Sequence, residues 1–453
     1  MRVLSAAAAL VLAARLFAHP AAPASQPIAW SDLAPLQARL EAHGITEASF
    51  PSYRDTVRRQ HLQRIRDGDF DHLIFYALQG SHFTRRPPIE PALSAKAFVS
   101  AGDRIPSDAL ARLRDLLAAI ESSSADPRIG YFRALVRSSV GDKTKREATL
   151  VREYTRAMQF VYQKEFVAQR TGPDAVAELY RSRGLSTDTA VEAGYVVYTG
   201  LGIVRSLDPQ RRIRRVLIVG PGLDLAPRTG LLETGPPESY QPWAVIDALV
   251  SLGLARLDDL EVVGADINPR VVDHLTRAHT APPVLTLVTG IREESTMALT
   301  AEYRDYFAHL GSATGTVLPG GAKAAPGHLV KTVRVGAAAA RTLSAAPLDI
   351  VIERLDSSAF DLIIATNILP YFDDRQLMLA MANIARMLAP GGVFLHNEPR
   401  PSLGEITEAL GMPYEQSRQV IIAEGRGAGG ERQPHPAVPL GDSVWLHRKA
   451  ASR

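Results

Sequence analysis

Two short segments carry residue types suited to holding a ligand that contains a sugar. The apolar run VLIVG leads into Gly220, Pro221 and Gly222, and glycines let the backbone approach a ligand where a side chain would collide with it. The run EVVGAD ends at Asp266, whose carboxylate can accept hydrogen bonds from both hydroxyls of a ribose. Taken singly, the glycine turn also fits a tight turn without a ligand, and Asp266 also fits a surface carboxylate.

A third segment places Asn367 directly after the apolar run FDLIIAT. Tyr371 follows in the sequence NILPYF, and an amphipathic helix then ends at LAPGG, where proline and glycine stop the helix and turn the chain. Tyr371 could orient or deprotonate a substrate group, but packing in the wall of a pocket fits the same position.

The elements that position these residues lie between Arg211 and Lys449, where strand-like runs alternate with helices. Apolar and β-branched residues predominate in six strand-like runs, which are VLIVG, EVVGAD, VLTLVTG, HLVKTVRVG, FDLIIAT and GGVFLHNE. Their alternation with helices predicts a doubly wound parallel sheet of the α/β class. The runs RQVIIAEG and DSVWLHRK are joined by a loop rich in glycine and proline, which predicts an antiparallel pair at the sheet edge. Ligands of such sheets bind at the carboxyl ends of the strands.

The first part of the chain, residues 25–207, is predicted to be an all-α N-terminal domain. Apolar residues recur at helical spacing in segments such as SDALARLRDLLAAI, and turn formers in RRPPIEP and SSSADPRIG separate the helices. Between Arg54 and Arg66, arginines crowd around His61 and aspartates flank them, so this segment is interpreted as a solvated, ion-paired face.

The composition excludes several classes of chemistry. The 453 residues include no cysteine, which rules out disulfides, thiol nucleophiles and iron–sulfur ligation. The histidines lack metal-ligand spacing, so no metal site is predicted. Lys+Arg 51 against Asp+Glu 48 gives a net charge of +3, so nucleic acid is not an expected partner.

Residues 1–24 resemble a secretory signal peptide. A short apolar run broken by Arg15 follows the positively charged start, and Ala22 and Ala24 have the spacing of a cleavage site. This run and all later ones are shorter than the roughly 20 apolar residues of a membrane-spanning helix. The alternative, an alanine-rich helix that is not removed, stays open.

In this order, the three segments resemble class I S-adenosylmethionine-dependent methyltransferases. The most specific part is the strand followed by N-x-L-x-Y-F, an amphipathic helix and L-x-P-G-G, and the resemblance covers Arg211 to Lys449. It implies a seven-stranded sheet with an antiparallel last strand, and S-adenosyl-L-methionine as the cofactor. A weaker likeness, carried by Tyr306 and Phe307 and by the A-x-D-I segment, is to the chemotaxis receptor glutamate methyltransferases.

The resemblance also implies roles for individual residues. Gly220 and Gly222, with Pro221 between them, would pass the amino-acid end of the cofactor, and Asp266 would hold its ribose. Ile267 would lie against the adenine, and Asn367 would lie near the methionine portion, facing the acceptor.

Two positions depart from the family pattern. Ile218 stands where an acidic residue is common, and Asp224 stands where a further glycine is common. Asp224 either replaces the missing carboxylate, or the site binds the cofactor weakly or not at all.

Two functions follow as hypotheses. The first is a methyltransferase acting on a small-molecule or protein acceptor that the sequence does not identify, because a fold does not choose its substrate. The second is a catalytically inactive, exported binding protein with the same scaffold, favoured by Ile218 and by the signal-like start. A nicotinamide dehydrogenase is disfavoured, because Leu223 to Leu225 lack the third glycine of the dinucleotide motif. Localisation stays open, since the start suggests export and the cofactor suggests the cytoplasm.

Overall fold

The computed structural model describes residues 24–122, 124–225, 236–294, 296–319, 326–356, 360–425 and 440–451. All but the last residue of the predicted signal peptide lies outside these ranges. Within them, no helix combines the length and the apolar character needed to cross a membrane.

The helices are numbered here in chain order. Nine precede the central sheet in the described chain: α1 (Gln37–Ala42), α2 (Phe50–Gln79), α3 (Pro91–Ser100), α4 (Ser107–Glu121), α5 (Pro127–Ser139), α6 (Arg146–Tyr162), α7 (Gln169–Thr171), α8 (Pro173–Ser182) and α9 (Val191–Leu207). The later ones are α10 (Gln241–Ser251), α11 (Pro269–Thr280), α12 (Ala301–His309), α13 (Ala337–Thr342), α14 (Asp374–Met387) and α15 (Pro401–Ala409). Short 3-10 helices cover Trp30–Leu36, Lys143–Lys145 and Leu369–Tyr371, and a π-helical stretch covers Gln163–Ala168.

The strands are β1 (Ser25–Pro27), β2 (Arg215–Val219), β3 (Glu261–Asp266), β4 (Val284–Val288), β5 (Met297–Leu299), β6 (Gly315–Leu318), β7 (Val330–Val335), β8 (Leu343–Pro347), β9 (Glu353–Leu355), β10 (Phe360–Ala365), β11 (Leu388–His396), β12 (Tyr414–Gly425) and β13 (Leu440–Arg448).

A central sheet of eight strands organises the fold, in the order β5-β12-β13-β11-β10-β2-β3-β8. The pairs from β11 through β10, β2 and β3 to β8 are parallel, whereas β13 runs antiparallel to both β11 and β12. The prediction of an α/β fold with a mostly parallel sheet and an antiparallel pair near one edge is confirmed. The sheet has one strand more than the seven implied by the resemblance, because β5 pairs with Ala423–Gly425.

Two predicted strands of the parallel sheet lie elsewhere. The runs VLTLVTG and HLVKTVRVG form β4 and β7, which pair antiparallel with each other. β7 also pairs antiparallel with β6, so the three strands form a separate sheet. The physical reason is visible in β4, where exposed and buried residues alternate as in a sheet with one solvated face. The place beside β3 in the central sheet is taken instead by β8.

In the described part of residues 24–207 the regular secondary structure is helical, except for β1, which pairs with β9. It shares its cores with the sheet. On one face, α9 packs so closely that a Cβ on Gly200 would be 2.7 Å from side-chain carbons of Leu395 and Val444. On the other face, Ile28, Leu33 and Phe50 belong to the same apolar cluster as the sheet residues Leu217 and Phe394. A domain division between 207 and 211 therefore stays a prediction.

Candidate functional site

The carboxyl ends of β2, β3, β8 and β10 meet at a cavity of about 90 Å³. Six residues singled out in the sequence line it: Gly220, Gly222, Asp266, Ile267, Asn367 and Tyr371. Helix α2 and residues 185–189 cover the cavity from the other side. The helical part of the chain therefore closes over the strand ends.

The glycine turn has a backbone that only glycine adopts easily. Gly220 and Gly222 have φ values of +68° and +77°. A Cβ on Gly220 would lie 2.6 Å from Cγ2 of Ile368, and one on Gly222 would lie 2.2 Å from Oγ1 of Thr189 and 2.4 Å from the carbonyl oxygen of Thr187. The space beside Gly222 is thus filled by a segment of the same chain.

That segment, residues 184–190, is called the strap here. The strap is bound to the glycine turn by paired hydrogen bonds: the Leu223 N–H donates to the Thr187 carbonyl at 2.7 Å, and the Thr187 hydroxyl donates to the Leu223 carbonyl at 2.8 Å. From α2, Nε2 of His72 accepts the Thr187 N–H at 3.1 Å. The strap is therefore held between the helical part and the sheet.

Asp266 is a buried carboxylate at the end of β3, with 6% of its surface exposed. Its Oδ1 accepts the Asn268 N–H at 2.8 Å, and the backbone N–H groups of Gly222 and Ile267 also donate to this carboxylate. Burial nevertheless raises its pKa to about 7, with a smaller contribution from the nearby carboxylate of Asp69. In the described chain no lysine or arginine side chain forms an ion pair with Asp266, so its charge is available to hydrogen-bond donors of a ligand.

Asn367 follows β10 in a left-handed conformation with φ +61°, which is uncommon for a residue other than glycine. An amide clasp with Asn397 holds it there. The Asn367 N–H donates to Oδ1 of Asn397 at 2.9 Å, and Nδ2 of Asn397 donates back to Oδ1 of Asn367 at 2.7 Å. The clasp fixes the direction of the backbone at the mouth of β10.

Tyr371 packs at the cavity wall, with its ring edge-to-face against Tyr180 at 5.7 Å and the guanidinium of Arg64 5.6 Å from its centroid. Its hydroxyl accepts the backbone N–H of Ser186 in the strap. Burial raises the pKa of this hydroxyl, so it stays protonated at neutral pH. The geometry favours a packing and strap-holding role for Tyr371 over that of a base.

Pro221 and Asp224 are not among the residues that line the cavity. Oδ1 of Asp224 accepts the Thr189 N–H at 2.9 Å, so Asp224 anchors the strap. The ring of Pro221 faces β3, 3.6 Å from where a Cβ on Gly264 would lie.

A histidine–aspartate pair was missed in the sequence. His61 of α2 lines the cavity with 2% of its surface exposed, and its Nδ1 lies 2.8 Å from Oδ2 of Asp349, two residues beyond β8. Its Nε2 is buried and has no hydrogen-bond partner among the residues that the structure describes. The interpretation of this segment as a solvated face is wrong for His61. Its spacing of four residues from Val57 and from Ile65, both buried, is the signal that identifies the inward face.

Comparisons with known proteins give weak similarities. No protein-family model and no curated protein sequence matches the chain. Among solved structures, the N-methyltransferase NodS from Bradyrhizobium japonicum WM9, in complex with S-adenosyl-L-homocysteine, is 13% identical over 56% of this chain and 85% of that chain, with a TM-score of 0.27. The Burkholderia thailandensis 1,6-didemethyltoxoflavin-N1-methyltransferase, with 1,6-didemethyltoxoflavin and S-adenosylhomocysteine bound, is 13% identical over 57% and 80%, with a TM-score of 0.26.

The CurJ carbon methyltransferase is similar over a longer stretch, 93% of this chain and 99% of that chain, at 13% identity and a TM-score of 0.29. All three are methyltransferases by name, and two were solved with S-adenosylhomocysteine bound. At TM-scores below 0.5 these similarities carry no argument about the site, which rests on the residues of this chain. The narrower likeness to chemotaxis receptor methyltransferases stays a prediction.

The cavity residues suit a polar ligand. Asp266 offers acceptor oxygens, and the unpartnered Nε2 of His61 offers a further hydrogen-bonding position. The volume of about 90 Å³ is well below the roughly 300 Å³ at which sites for drug-sized ligands begin. A nucleoside-sized ligand therefore needs more room than the closed cavity offers. The strap, which fills the space beside Gly222 and has no regular secondary structure, is the part of the lining that we expect to move.

Proposed function

We propose that the protein binds S-adenosyl-L-methionine at the carboxyl ends of β2, β3, β8 and β10, and that it transfers the methyl group to a small-molecule acceptor. The observation that carries the proposal is Asp266, a buried carboxylate with a raised pKa and no ion-pair partner in the described chain, next to a glycine turn with positive φ. Such a carboxylate is stabilised by a ligand that presents two neighbouring hydroxyl donors, as a ribose does.

Different residues around Asp266 would contact different parts of the ligand. Asp266 would accept the ribose hydroxyls, Ile267 would lie against the base, and Asn367 would lie near the methionine portion. When bound, the sulfonium cofactor supplies a methyl group that is already activated. The chain itself then has to orient the acceptor and exclude water, and an enclosed cavity under α2 and the strap is suited to both.

The closed cavity also favours a small acceptor over a protein. Ile65, Leu185 and Phe372 add apolar surface to the lining of the cavity. A folded protein substrate would have to displace α2, which is 30 residues long and packs through buried residues along its length. A small molecule needs only the strap to move.

Calorimetric titration with S-adenosylmethionine and with S-adenosylhomocysteine tests the proposal. We expect micromolar binding to the wild-type protein, and at least tenfold weaker binding to D266N, which keeps the shape of the side chain but removes its charge. The variant D103N changes an exposed aspartate that does not line the cavity and should bind as the wild type does. Absence of heat for both ligands, from protein with a normal circular-dichroism spectrum, would sink the proposal.

A further inference from the structure

The sheet has an open edge along β12. Strand β13 pairs with one side of β12 from Tyr414 to Ala423, whereas β5 pairs with the other side only at Ala423–Gly425. Thr300 covers the next two positions, since its N–H and hydroxyl donate to the carbonyls of Ile422 and Ile421. Within the described ranges, residues 414–420 therefore have no strand on that side, an edge of about 20 Å at roughly 3.3 Å per residue.

A cleft of about 960 Å³ runs along this open edge and is called the edge cleft here. One wall is β12 itself, and the other is formed by α9 and α12. Tyr195 and Tyr198 of α9 and Tyr306 of α12 line the cleft together, with ring centroids 5.1 and 5.2 Å apart across the two helices. Among the described residues, none lines both the cavity at the strand ends and the edge cleft, so the two are treated as separate sites.

The edge cleft is acidic on a protein whose net charge is +3. Glu302 and Asp305 of α12 line the cleft and are exposed. Asp247 also lines it but is buried, and its Oδ1 accepts the backbone N–H groups of Ala313 and Thr314. The basic residues that line the cleft are Arg418 and His309, and Nδ1 of His309 lies 3.4 Å from Oδ1 of Asp305. Exposed carboxylates beside tyrosine rings attract cations, because an aromatic ring can add a cation–π attraction to the Coulomb attraction.

We propose that the edge cleft binds an extended segment of another protein that carries lysine or arginine at alternate positions, by addition of a strand to β12. The segment would pair its backbone with residues 414–420, the usual way in which an exposed sheet edge recognises a peptide. Side chains alternate in direction along a strand, so every second residue would enter the cleft between the tyrosines and the carboxylates of Glu302 and Asp305.

The test uses a fluorescein-labelled nonapeptide of alternating lysine and valine, titrated with the full-length protein and followed by fluorescence anisotropy. The charge control is the same peptide with glutamate in place of lysine. The backbone controls are two versions of the lysine–valine peptide with N-methyl groups on alternate amides. One version blocks the hydrogen-bonding groups along one edge of the extended peptide, and the other version blocks those along the opposite edge. A double variant, E302Q/D305N, removes the exposed acids, and its matched control, E41Q/E47Q, removes two exposed acids at the start of the chain.

We expect saturable binding of the lysine–valine peptide, weakened at least fivefold in E302Q/D305N and unchanged in E41Q/E47Q. Blocking one edge of the peptide by N-methylation should weaken binding at least tenfold, while blocking the other should not. Equal binding of both N-methylated peptides would overturn strand addition. Equal binding of the glutamate peptide, or an unchanged affinity in E302Q/D305N, would overturn the proposed charge recognition. Both N-methylation readouts use the unaltered protein, so they do not depend on the folding of a variant.

Discussion

If the protein binds S-adenosylmethionine as proposed, ionisation of Asp266 should make this binding depend on pH near neutrality. Burial raises the pKa of this carboxyl to about 7 in the free protein, so it carries its charge only part of the time at pH 7. Two ribose hydroxyls donating to the carboxylate would stabilise the charged form and lower the pKa in the complex. Binding is then coupled to release of a proton, and affinity should rise with pH.

The magnitude follows from the pKa. With a pKa of about 7, about one tenth of the free protein has ionised Asp266 at pH 6 and about nine tenths at pH 8, so affinity should increase about tenfold, equivalent to about 1.4 kcal/mol. The sign for folding is opposite. Because the folded pKa lies above the unfolded value of about 3.9, the contribution of Asp266 to stability without cofactor is present at low pH and is lost as pH rises from about 4 to 7.

Calorimetric titration at pH 6, 7 and 8, in two buffers with different heats of ionisation, measures both the affinity and the number of protons released. At pH 6 the wild type should release close to one proton per cofactor through Asp266. D266N should lack this release, and subtracting its pH profile removes the titration of the cofactor's own amino group. The same pH slope in both proteins, or tighter binding at low pH in the wild type alone, would refute the role of Asp266.

Three further predictions concern the strap and His447, a buried residue of β13. G222A should cost about 2 kcal/mol more stability in urea unfolding than G44A, because both glycines have φ near +80° but only a Cβ at 222 meets Thr189, and equal costs would refute the contact. D224A should tighten cofactor binding roughly two- to tenfold in calorimetry by loosening the strap, whereas weaker binding would indicate a direct contact between Asp224 and the ligand. Burial lowers the pKa of His447 to about 4, so the free energy of unfolding should fall by up to about 3 kcal/mol as pH falls from 6.5 to 4. In H447F, urea unfolding should show a decrease over the same pH range that is smaller by up to about 3 kcal/mol.

The strand ends that meet at the cavity could be predicted because their sequences are simple. The runs that form β2, β3 and β10 are buried on both faces. Gly220 follows β2 directly, Asp266 is the last residue of β3, and Asn367 lies two residues beyond β10. Since the three strands are parallel neighbours, Gly220, Asp266 and Asn367 had to lie at one edge of the sheet. The same logic misassigned β4, because a short apolar run does not reveal which sheet it joins.

The cover of the cavity could not be predicted in the same way. β8 consists of five residues, LSAAP, without the run of branched side chains that marks β2, so Asp349 beyond it had no signal. His61 lies among arginines, and only its spacing of four residues from Val57 and from Ile65 marks it as part of the inward face of α2. The strap has no regular structure, and its position is set by contacts with His72 and Leu223 that are distant in sequence.

Gly222 belongs to the glycine turn that the sequence indicates and is also in contact with the strap that covers the cavity. The glycine that a sequence motif associates with a cofactor is here required by the chain itself, because Thr187 and Thr189 occupy the space that its missing side chain leaves open. Cofactor and strap would therefore compete for one volume, and every hydrogen bond that holds the strap closed lowers the net affinity for the cofactor. The same contact gives the closed protein a packed site in the absence of a ligand. Either the strap or the cofactor would then contact the glycine turn. The free energies of these two states would determine which fraction of the protein has cofactor bound at a given cofactor concentration.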